Sequence, residues 1–201
     1  MTWGYRLASI PKGAFRPAFR PQKRQIVPTA VALHRRLNEA IAAGDLTALR
    51  EICHDPLYDM LSRAISGRKK GEKLSWELVE SHSRLLLPRL VFHRAAIVPD
   101  SRYGQQNAVV RFDTTQKLTK RDSSGNIVKG GLKAQRKREN MVLMRAVDSK
   151  GYKPEPWKVW GFEDEMTLKQ WEDMEKGKKT LERSGLEKRV KELGVDLPGK
   201  R

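Results

Sequence analysis

Few residues in this sequence could do catalytic or metal chemistry. The chain has four histidines, His34, His54, His82 and His93, and a single cysteine, Cys53. A structural zinc site needs four thiolate or imidazole ligands at short, repeated spacings, and this scattered set does not supply them. Cys53 falls on the apolar side of a predicted helix, where a free thiol packs like a small apolar side chain. We therefore expect no metal site and no disulfide within the chain.

One catalytic arrangement stays open from the sequence. If the fold encloses a pocket, His82 or His93 could form an acid–base pair with Asp113. The acidic run at 163–165 has a simpler interpretation, because it precedes a predicted helix and anions stabilise the positive end of a helix dipole. No glycine-rich phosphate loop is complete in the sequence. We expect a protein that is not an enzyme and has no cofactor.

Net charge is the most informative part of the composition. The chain has 41 lysine and arginine residues against 24 acidic ones, which gives a formal net charge of +17. A charge this large disfavours the compact state unless an anionic partner neutralises it. Nucleic acid is the first candidate for that partner and an anionic membrane surface is the second. The longest apolar run, 85–92, is interrupted by Pro88 and Arg89, so no segment is long enough to span a bilayer.

The positive charge is concentrated in residues 116–145, which contain nine basic and two acidic residues. We expect this segment to form a β-hairpin whose end carries lysine and arginine side chains into a phosphate-lined groove. Arg136, Lys137 and Arg138 are its densest part. The alternative is a solvated hairpin in which lysines protect an exposed sheet edge. Contacts of this kind position a protein on phosphates without reading bases, which favours structured RNA as the partner.

Two other basic segments belong to the same prediction. Residues 1–27 contain basic residues and prolines but no acidic residue, which is typical of an extended arm that becomes ordered against a partner. The loop 68–73 places basic side chains beside glycines, where the backbone can approach a phosphate closely. The predicted RNA-binding residues are Arg16, Arg20, Lys23, Arg24, Arg68, Lys69, Lys70, Lys73, Lys120, Arg121, Lys133, Arg136, Lys137 and Arg138.

The spacing of apolar residues predicts helices first and antiparallel strands afterwards. This order indicates an α+β fold in which N-terminal helices pack on one face of the sheet. We divide the chain into an extended basic arm (1–27), an α+β domain (28–176) and a basic helical tail (177–201). The predicted helices are 28–44, 46–53, 56–66, 75–83 and 167–176, and the predicted strands are 90–98, 107–118, 131–147 and 157–162, with a long hairpin loop over 120–131.

Two stretches carry a resemblance to a known family. They are AIAAGDLTALREICHDPLYDML at 40–61 and PWKVWGF at 156–162. With the basic loop and long meander between them, they resemble a family that includes the C-terminal domain of the inner-membrane subunit of the mitochondrial import motor. The same family includes a mitochondrial large-subunit ribosomal protein and a fungal inner-membrane ribosome receptor. The resemblance covers roughly residues 28–176.

The resemblance implies both a shape and a place in the cell. The implied fold is cone-shaped and similar to nuclear transport factor domains, with a curved antiparallel sheet. The implied location is the mitochondrial matrix, bound to the ribosome and peripheral to the inner membrane. From the charge and the resemblance together, we expect a structural component of the mitochondrial large ribosomal subunit near the polypeptide exit. Its partners would be ribosomal RNA, neighbouring ribosomal proteins and the membrane insertion machinery. The alternative is a peripheral inner-membrane adaptor of protein import or insertion.

Overall fold

Helices followed by an antiparallel sheet make up the described part of the chain. A computed structural model describes residues 6–7, 9–10, 15–69, 71–82, 88–97, 103–148 and 151–163. The predicted helix at 167–176, the tail at 177–201 and Lys70 lie outside these residues. None of the described helices is both long enough and apolar enough to cross a membrane.

Three successive helices form the layer that covers the sheet: α1 (Lys23–Ala43), α2 (Leu46–Ile52) and α3 (Asp55–Ser66). α1 ends at Gly44, whose φ of 74° lies in the left-handed region that glycine adopts without a steric cost. Asp45 then caps α2, because its side chain accepts a hydrogen bond from the backbone N–H of Ala48. The predicted ends of these helices are confirmed.

The start of α1 differs from the prediction. The sequence places it at Pro28, but the helix begins at Lys23 and contains Pro28. A proline inside a helix removes one backbone hydrogen bond and costs about 3 kcal/mol. The added turn buries Ile26 completely against the core, and that burial offsets the cost. Lys23 and Arg24 therefore belong to a helix rather than to an extended arm.

The sheet has five antiparallel strands, and the central two are long. β3 pairs with β4 along almost its whole length, while β1 and β2 share the other edge of β3. β5 pairs with only part of β4. Each of these four pairings contains a register shift, and such irregularities bend a sheet and increase its twist. The strands are β1 (Lys73–Ser81), β2 (Arg89–Ile97), β3 (Tyr103–Arg121), β4 (Ile127–Asp148) and β5 (Lys158–Glu163).

The first strand replaces an element that was predicted as a helix. The sequence places a short helix over 75–83, but β1 (Lys73–Ser81) pairs with β3. Leu74, Trp76 and Leu78 alternate with polar residues, so a strand puts them on one face. The predicted helix is wrong because pairing with β3 decides the conformation of this short segment.

The hairpin loop is shorter than predicted. β3 reaches Arg121 and β4 starts at Ile127, so the turn occupies only residues 122–126 rather than 120–131. Asp122 closes the turn, since its carboxylate accepts hydrogen bonds from the backbone N–H groups of Ser124 and Asn126. The hairpin is consequently a long ribbon, with one register shift between Thr119 and Arg121 near its turn.

The main core lies between the helices and one face of the sheet. Leu37 of α1, Leu49 of α2, Val110 of β3 and Leu143 of β4 are fully buried in it. At its edge, the backbone N–H of His54 donates to the carbonyl of Val159 over 2.8 Å, which joins the start of α3 to β5. The predicted α+β architecture with helices on one face of an antiparallel sheet is confirmed.

A second, smaller core anchors the chain that precedes α1. Phe19 is fully buried against Ala95 of β2 and Val147 of β4. Its backbone N–H donates to the hydroxyl of Ser9 over 3.0 Å. The arm was predicted to become ordered only against a partner, but at Phe19 it is fixed by the protein itself.

Candidate binding site, a basic groove beside the sheet

A groove lies where the C-terminal end of α1 meets the hairpin, and its volume is about 450 Å³. We call it the basic groove. Its cationic side chains are Arg68, Lys133 and Lys137, and no carboxylate of a described residue lines it. Its apolar lining comes from Ile41, Ala42, Leu74, Trp76 and Leu118. The groove therefore combines an apolar wall with positive charge, which suits an anionic, amphipathic partner.

Two of the three cations are placed by strand register. Lys133 lies opposite Leu118, and Lys137 lies opposite Thr114. Because side chains alternate along a strand, both lysines project from the face of the sheet that carries the helices. Both side chains are exposed. They are therefore available to a partner in the groove.

The third cation has a structural role as well. Arg68 donates hydrogen bonds to the carbonyl oxygens of Ile41, over 2.6 Å, and Ala42, over 3.3 Å. These carbonyls belong to the last turn of α1, where the Ile41 carbonyl also accepts a hydrogen bond from the backbone N–H of Gly44. Arg68 thus stabilises the end of α1 and fixes one side of the groove.

Beneath the groove, a hydrogen-bond network joins four elements. The indole N–H of Trp76 donates to the side-chain oxygen of Gln116 over 3.0 Å. The amide of Gln116 then donates to Glu139 over 3.2 Å. Glu139 also binds the ring of His34, at 3.1 Å, and that ring stacks on Phe112. The network links α1, β1, β3 and β4 under the cationic rim.

Glu139 stays ionised within this network. Burial raises the pKa of its carboxyl group, but the hydrogen bond from His34, the charge of Lys137 and the hydrogen bond from Gln116 outweigh it. The resulting pKa is below the ordinary value. The Lys137 ammonium lies 3.5 Å from this carboxylate, so Lys137 shares its charge between Glu139 and the groove.

The other face of the sheet carries two arginines that bind one buried carboxylate. The carboxylate of Asp113 accepts hydrogen bonds from Arg136 at 2.7 Å on both oxygens and from Arg138 at 3.1 Å. The hydrogen bond from Arg136 is the largest influence that lowers the pKa of Asp113, to about 2, and it outweighs the opposing effect of burial. Asp113 is 4% exposed, whereas the two arginines are at least half exposed. The cluster ties β3 to β4 and still leaves two guanidinium groups at the surface.

The family comparison covers this whole arrangement. The family described as "Tim44-like domain" matches residues 22–164, from the start of α1 to the end of β5. The chain belongs to the Tim44-like family. The predicted resemblance to the C-terminal domain of the import-motor subunit is thereby confirmed.

Among solved structures, the chain is similar to the intermembrane space region of the chloroplast protein ARC6. The sequences are 10% identical, the TM-score is 0.42, and the match covers 72% of this chain and 96% of the other. No curated protein matches the chain.

Within the Tim44-like domain, the predicted RNA-binding residues do not form one patch. Lys133 and Lys137 meet Arg68 in the basic groove, while Arg136 and Arg138 lie on the opposite face. The Arg136–Lys137–Arg138 run is thus divided between two faces by strand alternation.

The remaining residues of that prediction lie elsewhere. Lys120 of β3 forms an ion pair with Glu72 at 2.5 Å, and Arg121 faces Lys73 across the β1–β3 pair. Lys69 is exposed after α3. Arg16 and Arg20 line an open groove before α1, and Lys23 and Arg24 form the first, exposed turn of α1.

Sequence reasoning missed Trp76 and Gln116, which form the floor of the groove. Trp76 was assigned to a helix, although the alternation of Leu74, Trp76 and Leu78 would have placed it on the same face as the lysines. Alternation placed Gln116 on the same side of its strand as Val110 and Phe112, but nothing in the sequence indicated its hydrogen bonds to Trp76 and Glu139.

The residues of the hypothetical acid–base pair are engaged in other contacts. His82 lies beside Asp113, but its ring is hydrogen-bonded to Thr115 at 2.7 Å and the Asp113 carboxylate is held by arginines. His93 contacts Gln106 at 2.6 Å, and burial lowers its pKa to about 4, helped by the charges of Lys23 and Arg145. Among the described residues, no cluster of histidine, cysteine and acidic side chains could hold a metal ion.

Proposed function

We propose that this protein is a peripheral adaptor of the mitochondrial inner membrane that acts in protein import or insertion. The observation that carries the proposal is the match to the Tim44-like family, which covers the basic groove and all of its supporting elements. The expected role is non-catalytic: the chain binds and positions other molecules. Of the two functions inferred from the sequence, the inner-membrane adaptor is therefore preferred to the ribosomal component.

The groove suits an anionic lipid surface for two reasons. Its cations can approach phosphate headgroups, and each well-placed lysine or arginine contributes about 1 kcal/mol at an anionic membrane. Its apolar wall, which includes Trp76 and Leu118, can contact the acyl region beneath the headgroups. Leu118 is 39% exposed, so this apolar surface is reachable from outside.

Vesicle flotation tests the proposal. We expect the protein to float with cardiolipin-containing vesicles and not with neutral phosphatidylcholine vesicles. Replacing both Lys133 and Lys137 with glutamine should weaken binding by roughly 2 kcal/mol, because both lysines line the groove. The matched control replaces Arg35 and Arg63 with glutamine, which removes the same charge from exposed helix positions.

Two results would contradict the adaptor proposal. One is equal flotation of the two double variants, since that would mean net charge alone binds the vesicles. The other is equal binding to neutral and anionic vesicles.

A second candidate is a component of the mitochondrial large ribosomal subunit, bound in the matrix to ribosomal RNA and neighbouring ribosomal proteins. The observation that favours it is the position of Arg16 and Arg20, which line an open groove with Arg6 on the surface before α1. Co-sedimentation with large ribosomal subunits from a mitochondrial lysate tests it. We expect binding that is lost at high salt and after ribonuclease treatment. A protein that stays at the top of the gradient at low salt would exclude this candidate.

A further inference from the structure

A second groove lies on the face of the sheet opposite the three helices, and its volume is about 490 Å³. We call it the outer groove. Val91 and Phe92 of β2 and Trp160 of β5 line it, from strands on either side of the central pair. Val91 and Phe92 are 48% exposed, and Trp160 is 46% exposed. Val109 of β3 and Val142 of β4 form its floor. Large apolar side chains from four strands thus meet at one open surface.

Strand register places the centre of the outer groove in one row across the sheet. Phe92 lies opposite Val109 in the β2–β3 pair, and Val109 lies opposite Val142 in the β3–β4 pair. Val142 lies opposite Gly161, and Trp160 is the extra residue at the register shift beside it. A Cβ atom added to Gly161 would meet nothing within 4 Å. The row therefore has apolar side chains on three strands and open space at its position on β5.

Towards the hairpin turn, the same face of the sheet is polar. Thr115 and Lys117 of β3 lie there with Arg136 and Arg138 of β4. A face of this kind is typical of an antiparallel sheet that is exposed to water. Apolar side chains exposed one by one are ordinary, whereas a converging group of them marks an interaction site. The apolar character is confined to the part of the face between β2 and β5, which indicates that this part is covered by a partner.

The spacing of the strands selects the shape of that partner. Two strands separate β2 from β5, and neighbouring strands lie about 4.8 Å apart, so the two flanking strands are about 14 Å apart. An α-helix with its side chains is about 10–12 Å wide. An extended peptide would instead add to a free edge of the sheet, and this surface is a face. The outer groove therefore fits a helix that lies over β3 and β4 with an apolar side towards the sheet.

The charges around the outer groove select the chemistry of the helix. Arg89 and Arg94 of β2 are exposed, and by register they lie on the two rows that flank the row of Phe92. On β5, the charges of Lys158 and Glu163 oppose each other. The surplus positive charge is thus on the β2 side, where carboxylates of a partner can pair with it. A second copy of this chain is a poor partner, because each copy has a net charge of +17.

We propose that the outer groove is the docking site for an acidic, amphipathic helix of a partner protein. The apolar side of this helix packs between Phe92 and Trp160, and its carboxylates pair with Arg89 and Arg94. The inference goes beyond the proposed adaptor function and does not depend on it, because the basic groove lies on the other face of the sheet.

Titration of the full chain with labelled peptides tests the docking site. The probe is a synthetic amphipathic helix of about 20 residues, with leucine and phenylalanine on one side and glutamate on the other, and fluorescence anisotropy measures its binding. Gly161→Leu fills the outer groove where there is open space and changes no charge. We expect this variant to bind the peptide at least about tenfold more weakly than the wild type. Ser75→Leu adds the same side chain at an exposed position of β1 outside the groove and should bind as the wild type does.

The proposal is overturned if the wild type shows no saturable binding, or if Gly161→Leu keeps wild-type affinity, because surface cations would then account for the binding. Should Gly161→Leu fail to fold, Phe92→Ala decides in its place, since it only shortens an exposed side chain. A matched peptide with lysine in place of glutamate should bind at least about tenfold more weakly, and equal binding would overturn an acidic partner.

Vesicle flotation separates the helix from a lipid occupant of the outer groove. Gly161→Leu should float with cardiolipin-containing vesicles as the wild type does, because it leaves the basic groove unchanged. Loss of flotation in this variant would assign the outer groove to lipid and overturn the docking site. Loss of flotation only in the variant without Lys133 and Lys137 supports both proposals, since each face then has its own partner.

Discussion

The Asp113 carboxylate is held between Arg136 and Arg138 on the face of the sheet opposite the helices. A buried carboxylate with two charged donors is ionised in the folded protein far below the ordinary pKa of the group. The three side chains link β3 to β4 at the middle of the long hairpin. At the scale of single residues, this cluster is the main electrostatic link between the two central strands.

Replacing Asp113 with asparagine tests this contribution and its pH dependence. The folded pKa of about 2 lies below the ordinary 3.8, so the stabilisation is fully present above pH 3.8 and is lost as pH falls through 2. We expect Asp113→Asn to lower the free energy of unfolding by about 1–2 kcal/mol at pH 7, allowing for the solvent exposure of both arginines. The difference from the wild type should shrink steadily below about pH 4. Urea denaturation across that range measures it.

Asp59→Asn provides the matched control, because it removes an exposed carboxylate from α3. That variant should leave stability at pH 7 within about 0.5 kcal/mol of the wild type. A constant difference between Asp113→Asn and the wild type from pH 7 to pH 3 would show that the arginines do not stabilise the ionised form.

Burial also changes the pKa, and hence the reactivity, of the Cys53 thiol. Desolvation raises the pKa of its thiol from 9.0 to about 11, although the charge of Lys158 acts in the opposite direction. Because the thiolate is the reactive form, we expect alkylation by iodoacetamide at pH 8 to be at least about a hundredfold slower in the native protein than in urea. Similar rates in the two conditions would mean that the thiol is accessible.

Charge density could be predicted at the residue scale, but the partners of each charge could not. The sequence identified Arg136, Lys137 and Arg138 as a basic cluster, and strand alternation alone separates Lys137 from its neighbours. The pairing with Asp113 depends on the β3–β4 register, which the overestimated hairpin loop left undetermined. Arg145 was counted only as part of the basic hairpin, and its burial depends on Trp157 and Gln106 from distant segments.

Among the elements of the fold, the segment before α1 differs most from its prediction. Phe15 and Phe19 both fall within the predicted extended arm (1–27). Phe19 is fully buried, whereas Phe15 is fully exposed. The sequence could not distinguish them, because the pocket that receives Phe19 is built by β2 and β4.

This difference gives a matched pair of variants. Phe19→Ala should lower the free energy of unfolding by about 3–5 kcal/mol, because it leaves a cavity beside Ala95 and Val147. Phe15→Ala removes an exposed ring and should change it by less than about 0.5 kcal/mol. Thermal or urea denaturation compares them. Equal effects would show that the segment before α1 is not fixed to the domain.

The helix and strand elements also differ in how well their sequences specify them. α2 and α3 carry their own end signals at Asp45 and Pro56, and both were located correctly. β1 has no local end signal and takes its conformation from pairing with β3. The helices α2 and α3, which begin at capping residues, were therefore predictable from the sequence. The strand β1, whose conformation depends on pairing with β3, was not.

For the whole molecule, the net charge of +17 makes any polyanion complex sensitive to salt. If Arg16 and Arg20 bind RNA phosphates, replacing both with glutamine should lower the slope of log affinity against log salt by about 2, because each arginine that neutralises a phosphate adds roughly one to that slope. Filter binding to mitochondrial ribosomal RNA measures the slope. An unchanged slope would place the RNA-binding residues elsewhere or remove the ribosomal candidate.

The junction between α3 and β5 has a consequence for synthesis. The backbone N–H of His54 needs the carbonyl of Val159, which leaves the ribosome only after the entire meander has been made. Non-local pairings of this kind form late, because much chain must first be ordered between the two segments. The three helices are therefore synthesised before β5. Their apolar faces are not fully covered until β5 has been made and has paired with the start of α3. A nascent chain stalled before β5 should accordingly depend on chaperones and be degraded readily by proteases.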